Sequence, residues 1–375
     1  MAKRRLNGEG TIYWHKGLKR YMIQVVDGGI RRTFYATTQA GAKKKLRGLQ
    51  RKQDQGERLV TSGMPLKDYL DVWIESIKNR VRPSTFQGHE TMVRVHLVPR
   101  LGHIRLNKLM PEHITRAWDK MIKDGKSASV VEHCHVRLSK ALNDAVKRDL
   151  IYRNPCQVVT PPKAQVKEKR LLDLEEINNL LAVATDTEYY GIIHTALHTG
   201  LRRNELLALR WKDIDMDEAV IFVSRSLFRD KGGITLYHPP KSAKGRRSVD
   251  LTPSSAIFLR QLRQKQELDG LLYGYEVNEE SSVFRYRTGP PMSPNAVSHA
   301  FKRIAERAGL HGYHFHNNRD THATLLLRQG VHPKVVQERL GHAKVGTTMD
   351  IYSHVMPTLQ REAADRFDLA LEPAV

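Results

Sequence analysis

Leu340-Gly341-His342-Ala343-Lys344-Val345-Gly346-Thr347-Thr348-Met349-Asp350-Ile351-Tyr352, running on into Ser353-His354, follows shortly after His316-Asn317-Asn318-Arg319. A tyrosine close to a His/Arg cluster, on a strongly basic chain, points to phosphoryl transfer on a nucleic acid. Cleaving a phosphodiester needs positive charge around the non-bridging oxygens, a proton donor for the leaving oxygen, and a nucleophile in line with it. Tyr352 is the candidate nucleophile. A tyrosine in the context Ile351-Tyr352-Ser353-His354 is by itself far more often a core or surface aromatic. The weight therefore rests on what surrounds it.

Working outward, Pro333 at the first helical position and Gly341 just past the last bracket a helix and leave His342 in the following turn. Further upstream, Thr199-Gly200-Leu201-Arg202-Arg203-Asn204-Glu205 supplies a second arginine. Gly200 can end the helix of residues 192–197, and Arg202 then lies near the start of the next. Glu205 shares a helix face with Arg202 and can orient it, although a pair at this spacing is usually a surface ion pair. Metal-dependent nucleases gather carboxylates around Mg²⁺. No Asp/Glu cluster of that kind stands out here, whereas paired arginines do, and a guanidinium grips phosphate bidentately. His311, His314, His316, His322, His332, His342 and His354 raise the alternative of zinc, but no adjoining Cys or His-Glu-x-x-His pattern supports it. Neither a metal nor a cofactor is expected.

The composition agrees with a polyanionic partner. The 375 residues carry 62 Lys and Arg against 40 Asp and Glu, a formal charge of +22. Half of the surplus lies in residues 1–59, with fifteen basic and four acidic side chains. Membrane surfaces are anionic too, but no lipidation motif, basic amphipathic anchor or apolar run of about 20 residues is present. The N-terminus lacks the apolar core of a secretory signal. Only Cys134 and Cys156 occur, so no disulfide framework is expected and a reducing, cytoplasmic compartment fits.

Patterning predicts a multidomain, mainly α chain with three segments: 1–59, 64–162 and 168–375. In the first, residues 11–14, 21–26 and 31–36 are β-branched and aromatic runs, separated by Lys16-Gly17 and Asp27-Gly28-Gly29. Thr38 then caps a basic helix reaching toward Gln53. The alternative for this segment is a solvated basic tail. The second reads as a helical bundle, with Leu66, Tyr69, Leu70, Trp73, Ile74 and Ile77 forming one stripe. Pro83-Ser84-Thr85 opens a helix with Met92, Val95 and Leu97, and Pro111 opens one with Ile114, Ala117, Trp118, Met121 and Ile122. Val131, Cys134, Leu138, Ala141, Leu142 and Ala145 repeat the stripe. In the third, Asp173-Leu174-Glu175-Glu176 resembles a capping box, and short strands are expected over 219–223, 234–237 and 247–251.

Together these elements resemble the tyrosine recombinase, or phage-type integrase, family, through about residues 170–356. The parts fall in the family's order and spacing. The resemblance implies that Arg202 and Arg319 hold the scissile phosphate and that Glu205 supports Arg202. Lys241, in Pro240-Lys241-Ser242-Ala243-Lys244-Gly245-Arg246-Arg247, matches the hairpin lysine that protonates the leaving 5′ oxygen, with Lys244 as its rival. His316 would accept or position the nucleophile's proton, His342 would contact the phosphate, and Tyr352 would form a 3′-phosphotyrosyl link. Asn318 and Asp320 depart from the family's usual Leu and His. The Asp320 carboxylate could weaken the local field or pair with Arg319.

The first segment resembles the AP2-like, arm-site-binding domain of many integrases, and the bundle their core-binding domain. Lys3, Arg4, Arg5, Lys19, Arg20, Arg31, Arg32 and Lys140 are the DNA-contacting candidates. The implied partners are double-stranded DNA at core and arm sites, three further copies in a homotetramer closing on DNA as C-shaped clamps, and an accessory bending or directionality factor. Residues 356–367 read as a short amphipathic helix, whose Leu359, Ala363 and Phe367, with Leu371, pack on its own domain or, as the favoured reading, dock on a neighbour. A catalytically silent DNA-binding regulator and a type IB topoisomerase-like relaxing enzyme are the competing functions.

Overall fold

The computed structural model describes residues 10–16, 19–27, 30–54, 63–163, 170–229, 235–238, 246–346, 348–349, 364–365 and 367–368, and of residues 30, 52 and 236 the backbone alone. The chain forms two units, Met1–Lys167 and Glu168–Val375.

In the first unit, β1 (Thr11–His15), β2 (Arg20–Asp27) and β3 (Ile30–Ala36) form an antiparallel sheet in that order. The register sets Ile12 against Ile23 and Ile23 against Phe34. Because side chains alternate across a strand, this row shares one face with Val25. That face packs on α1 (Gln39–Asp54), with Ile23, Val25 and Ala42 buried. Thr38 caps the helix, its hydroxyl accepting from the Gly41 N–H at 3.1 Å. The opposite face carries the rows Tyr13, Met22, Tyr35 and Thr11, Gln24, Thr33. Tyr13 and Tyr35 are exposed.

The same unit holds a helical bundle with a core of its own: α2 (Leu66–Ile77), α3 (Pro83–Thr91), α4 (Val98–Leu101), α5 (Pro111–Lys123) and α6 (Ala128–Lys147). All six residues of the α2 stripe are buried. The Tyr69 hydroxyl donates to the Ala141 carbonyl at 2.6 Å, and Trp73 Nε1 donates to Asp144 Oδ2 at 2.8 Å, tying α2 to α6. Each large side chain buried this way stabilises by about 1.5–3 kcal/mol. Two stripe assignments are corrected. Val95 is exposed, because residues 92–97 form a π-helical turn in which Val93 and Leu97 face inward. Pro99 follows this turn, and a proline ring clashes with the carbonyl four residues before it, which favours the wider winding. Ile122 is also exposed, at the rim of α5. Cys134 and Cys156 are both buried and unpaired with one another.

The second unit runs α7 (Leu174–Ala184), α8 (Tyr190–Thr199), α9 (Arg203–Leu206), β4 (Ile214–Asp215), β5 (Val220–Val223), β6 (Ser226–Arg229), β7 (Thr235–His238), β8 (Arg247–Asp250), α10 (Pro253–Tyr273), α11 (Pro294–Arg307), α12 (Asn317–Arg328) and α13 (Pro333–Leu340). Its capping box is formed: Asp173 Oδ1 accepts from the Glu176 N–H and Glu176 Oε2 from the Asp173 N–H. β4, β5 and β8 make one antiparallel sheet, and β6 with β7 makes a separate two-stranded ribbon. β5 pairs with β8 across the intervening ribbon, Val223 opposite Arg247. One large apolar core joins α7, α8, α10, α11 and the three-stranded sheet. Among the described residues no helix is long and apolar enough to cross a membrane.

Candidate active site

Three glycine- and helix-end features build the site. α8 ends at Gly200 in the left-handed conformation, φ +66°. α13 ends the same way at Gly341, φ +65°. Arg202 precedes the first residue of α9. Glu205, one turn on, grips Arg202 twice: Oε2 accepts its backbone N–H at 3.0 Å, and Oε1 accepts from Nη1 at 2.7 Å. The pair expected from the i,i+3 spacing is therefore real. It is not a surface pair, because the Glu205 side chain is only 4% exposed.

The last turn of a helix leaves carbonyls without intrahelical partners, and the helix dipole makes that end negative. At α13 three consecutive carbonyls each receive an arginine from elsewhere in the fold. Arg247 Nε donates to the Arg339 carbonyl at 2.7 Å, Arg319 Nη2 to that of Leu340, and Arg202 Nη2 to that of Gly341 at 3.3 Å. Arg319 also donates through Nη1 to the Gly200 carbonyl at 2.8 Å. Like-charged guanidiniums are thus assembled on an electronegative helix end, with Glu205 as their counter-ion. Burial raises the Glu205 carboxyl, but hydrogen bonding and charge from Arg247, then Arg202, more than offset it and hold the carboxyl below the usual range.

The two expected phosphate ligands differ in access. The Arg202 side chain is 39% exposed, whereas Arg319 is only 3% exposed. Burial, aided by the nearby Arg202 charge and opposed by Glu205, lowers the Arg319 guanidinium to about 9, still a cation at neutral pH. Asp320 is buried and acts on Arg319 in the same sense as Glu205, as the last of the contributors. Asn318 is 1% exposed.

His342 follows Gly341 directly, and its Nδ1 shares a hydrogen bond with the Thr348 hydroxyl at 2.9 Å. His316 is exposed at the start of α12, one turn before Arg319, and its carbonyl accepts the Arg319 N–H at 3.2 Å. Beneath the arginines, His322 Nδ1 lies 2.9 Å from the Leu197 carbonyl, which can only accept. Nδ1 therefore carries the proton and Nε2 accepts from Arg339 Nε at 3.2 Å. Burial, then the Arg339 charge, pushes this imidazole down to about 4, so it stays neutral and structural.

Lys241, Lys244 and Tyr352 lie outside the described residues, as do Lys3, Arg4 and Arg5. Lys19, with φ +47°, and Arg20 lie at the turn entering β2, and both are exposed, as are Arg31 on β3 and Lys140 on α6. Arg32 is placed differently. It opposes Val25 on the helix-facing side, and its Nε pairs with Asp27 at 3.3 Å. Position within the basic run of 241–247 assigns no role to Arg247. The strand period shows why it turns inward: it shares a face of β8 with buried Val249.

Gly200 is tightly packed within the site. A Cβ there would meet Leu340 Cδ2 at 2.5 Å and His322 Cδ2 at 2.7 Å, at a φ that costs an L-residue about 1–2 kcal/mol. Gly200→Ala is expected to lower the thermal midpoint of the second unit by an amount corresponding to about 2–4 kcal/mol, and to displace the carbonyl that Arg319 uses. Calorimetry checks this, and an unchanged midpoint would contradict the close packing of Gly200 on α12 and α13.

Known proteins resemble this chain in sequence and in fold. Residues 170–358 match the model of the phage integrase family, and residues 66–122 that of the phage integrase N-terminal SAM-like domain. A tyrosine recombinase XerC-like protein of Caldanaerobacter subterraneus subsp. tengcongensis is 28% identical over 385 residues, covering 95% of this chain and 97% of that protein. A Tn1549 transposon integrase fragment, solved with a circular intermediate DNA, superposes with a TM-score of 0.70 at 22% identity, over 81% of this chain and 99% of that one. Lambda integrase, solved as a tetramer bound to a Holliday junction, gives 0.61 at 17% identity, over 93% and 96%. With its motifs in that order on this fold, the chain belongs to the phage integrase family, enzymes that cut and rejoin DNA in site-specific recombination.

Proposed function

We propose that this chain recombines the DNA of a phage or another integrative element, as a tetramer acting on two attachment sites. The carrying observation is the convergence of Arg202 and Arg319 on the end of α13, with His342 in the next turn and Tyr352 ten residues further along. Arg202 presents the exposed guanidinium to the scissile phosphate. Arg319 holds the scaffold with two of its five N–H donors and offers positive charge with the rest. Tyr352 Oη attacks phosphorus and gives its proton toward His316. The bond to the 5′ oxygen breaks, and that oxygen takes a proton from Lys241. The 3′-phosphotyrosyl bond conserves the phosphodiester energy, so attack by another 5′ hydroxyl rejoins DNA without ATP.

Trapping with suicide duplexes tests this reading. Sequencing the trapped DNA and the linked peptide is expected to recover one core sequence joined through its 3′ phosphate to the Tyr352 peptide. Sequence-indifferent trapping with supercoil relaxation would support the topoisomerase reading instead, and no trapping would support the regulator.

Residues 1–59 serve as the arm-site module in this proposal. The exposed sheet face beside Arg20 and Arg31 is supported for that role by its open tyrosines and by the basic surplus of the segment. Deleting residues 1–59 is expected to abolish arm-site binding while sparing core-site cleavage. The slope of log affinity against log salt should also flatten, by about one for each phosphate the module neutralises. Equal affinity and slope in the truncated protein would remove the module's assigned role. A directionality factor belongs to the proposal as a partner of the assembled complex.

A further inference from the structure

Three guanidiniums meet the carbonyls of α13, and two of them, Arg202 and Arg319, have a task in phosphate binding. The third has none. We propose that Arg247 is a positioning residue of the cleavage reaction: through Glu205 it fixes the orientation of the Arg202 guanidinium, and through the Arg339 carbonyl it ties that orientation to the turn carrying His342. The inference rests on Arg202 being a phosphate ligand.

An exposed arginine paired with one carboxylate across a single helical turn is held weakly, since solvent screens the pair and both side chains keep alternative rotamers. Arg202 is 39% exposed and would be such a case if Glu205 had no other partner. Glu205 is instead clamped from the far side. Arg247, whose side chain is 6% exposed, donates through Nη2 to Glu205 Oε2 at 2.9 Å and through Nη1 to Oε1 at 3.4 Å. Oε2 is shared with the Arg202 N–H and Oε1 with Arg202 Nη1, so the carboxylate cannot rotate without breaking a buried, charge-assisted bond. Arg247 Nε meanwhile reaches the Arg339 carbonyl. One side chain thus spans β8, α9 and α13. It is also the residue at which the chain enters β8 from the segment bearing Lys241 and Lys244.

The charges acting on Glu205 are Arg202 at its own helix, Arg247 from β8, and Arg319 from α12, which senses the Glu205 charge. Removing Arg247 leaves burial to push the carboxyl up against the two remaining cations. A protonated Glu205 no longer holds Arg202 by charge. The wild-type carboxyl, held below its usual range, stays ionised through mildly acidic pH. The variant's carboxyl is raised, so its cleavage falls as pH drops.

The test uses the full chain and a nicked suicide duplex carrying the sequence that the wild-type protein captures covalently from a randomised duplex pool. Single-turnover adduct formation is followed from about pH 5.5 to about pH 8.5, together with the duplex Kd and the thermal midpoint. Arg247→Met is expected to bind with the wild-type Kd, to form adduct roughly 100-fold slower at neutral pH, and to slow toward acid more steeply than the wild type. Arg247→Lys should recover part of the rate and return the acid decline to the wild-type slope. Glu205→Gln should be slow with the wild-type acid slope, and adding Arg247→Met to it should cost nothing further. Wild-type rates in Arg247→Met, or additive losses with a wild-type pH profile, would overturn the inference. If Arg247→Met does not fold, Glu205→Gln and Arg247→Lys decide, and wild-type behaviour in Glu205→Gln overturns it. Arg202→Ala cleaving at the wild-type rate would remove the clamp reading itself, a result separable from all of these.

Discussion

Tyr352→Phe is expected to bind its DNA site with unchanged affinity and to form no covalent adduct. The substitution deletes one oxygen and leaves the ring, so neither packing nor the basic surface that attracts DNA changes. What disappears is the phenol assigned to form the phosphodiester-like ester that conserves bond energy. A phenol with a pKa near 10 is a poor nucleophile in water at neutral pH. It becomes effective where cations stabilise the pentavalent phosphate and a neighbouring group takes its proton. Adduct that survives SDS, measured on a suicide duplex beside a gel-shift Kd, separates binding from chemistry. Adduct formed by the phenylalanine variant at the wild-type level would mean that another residue attacks.

The second large effect is at Arg319, and Arg202 provides its contrast. Arg319→Ala is expected to reduce cleavage roughly 10³-fold and also to destabilise the second unit by about 2–4 kcal/mol. The destabilisation follows from its hydrogen bonds: the carbonyls of Gly200 and Leu340 would both be left without this donor in a buried setting. Arg319→Lys should remain defective, because one ammonium cannot reproduce the planar fork that spans two helix ends. Arg202→Ala should reduce cleavage by a similar factor with a much smaller drop in thermal midpoint, since its side chain is 39% exposed and braces only one helix-end carbonyl. Equal stability in the two alanine variants would contradict the division of labour between a buried and an exposed arginine.

Much of this site is legible along the chain, for reasons that are local. Gly200 and Gly341 stop helices because a left-handed residue without a Cβ ends the hydrogen-bond ladder, and both do so here. The capping box at Asp173, the Thr38 cap and the α2 stripe are likewise short-range patterns that the folded chain reproduces. The Arg202–Glu205 pair is visible as spacing, but its burial is not. Val95 reads as a core position because periodicity assumes α winding, and the π turn before Pro99 shifts which residues face inward. Arg32 reads as a basic surface residue because charge alone does not say which face of a strand a side chain takes. The pairing register sends it to the helix side, toward Asp27.

The sequence by itself determined the motif order and the basic partner-seeking charge, which are read directly along the chain, and the helix stops and mainly α character, because these depend on residues within a turn or two of one another. Only the tertiary structure decided that Arg202, Arg247 and Arg319 share three successive carbonyls of α13, that Glu205 is their buried counter-ion, and that Arg319 braces two helix ends. Those interactions join residues from separate helices and a strand. No local period encodes them, and they form when the orphan carbonyls and negative dipole of a helix end are packed against a cluster of cations that water would otherwise keep apart.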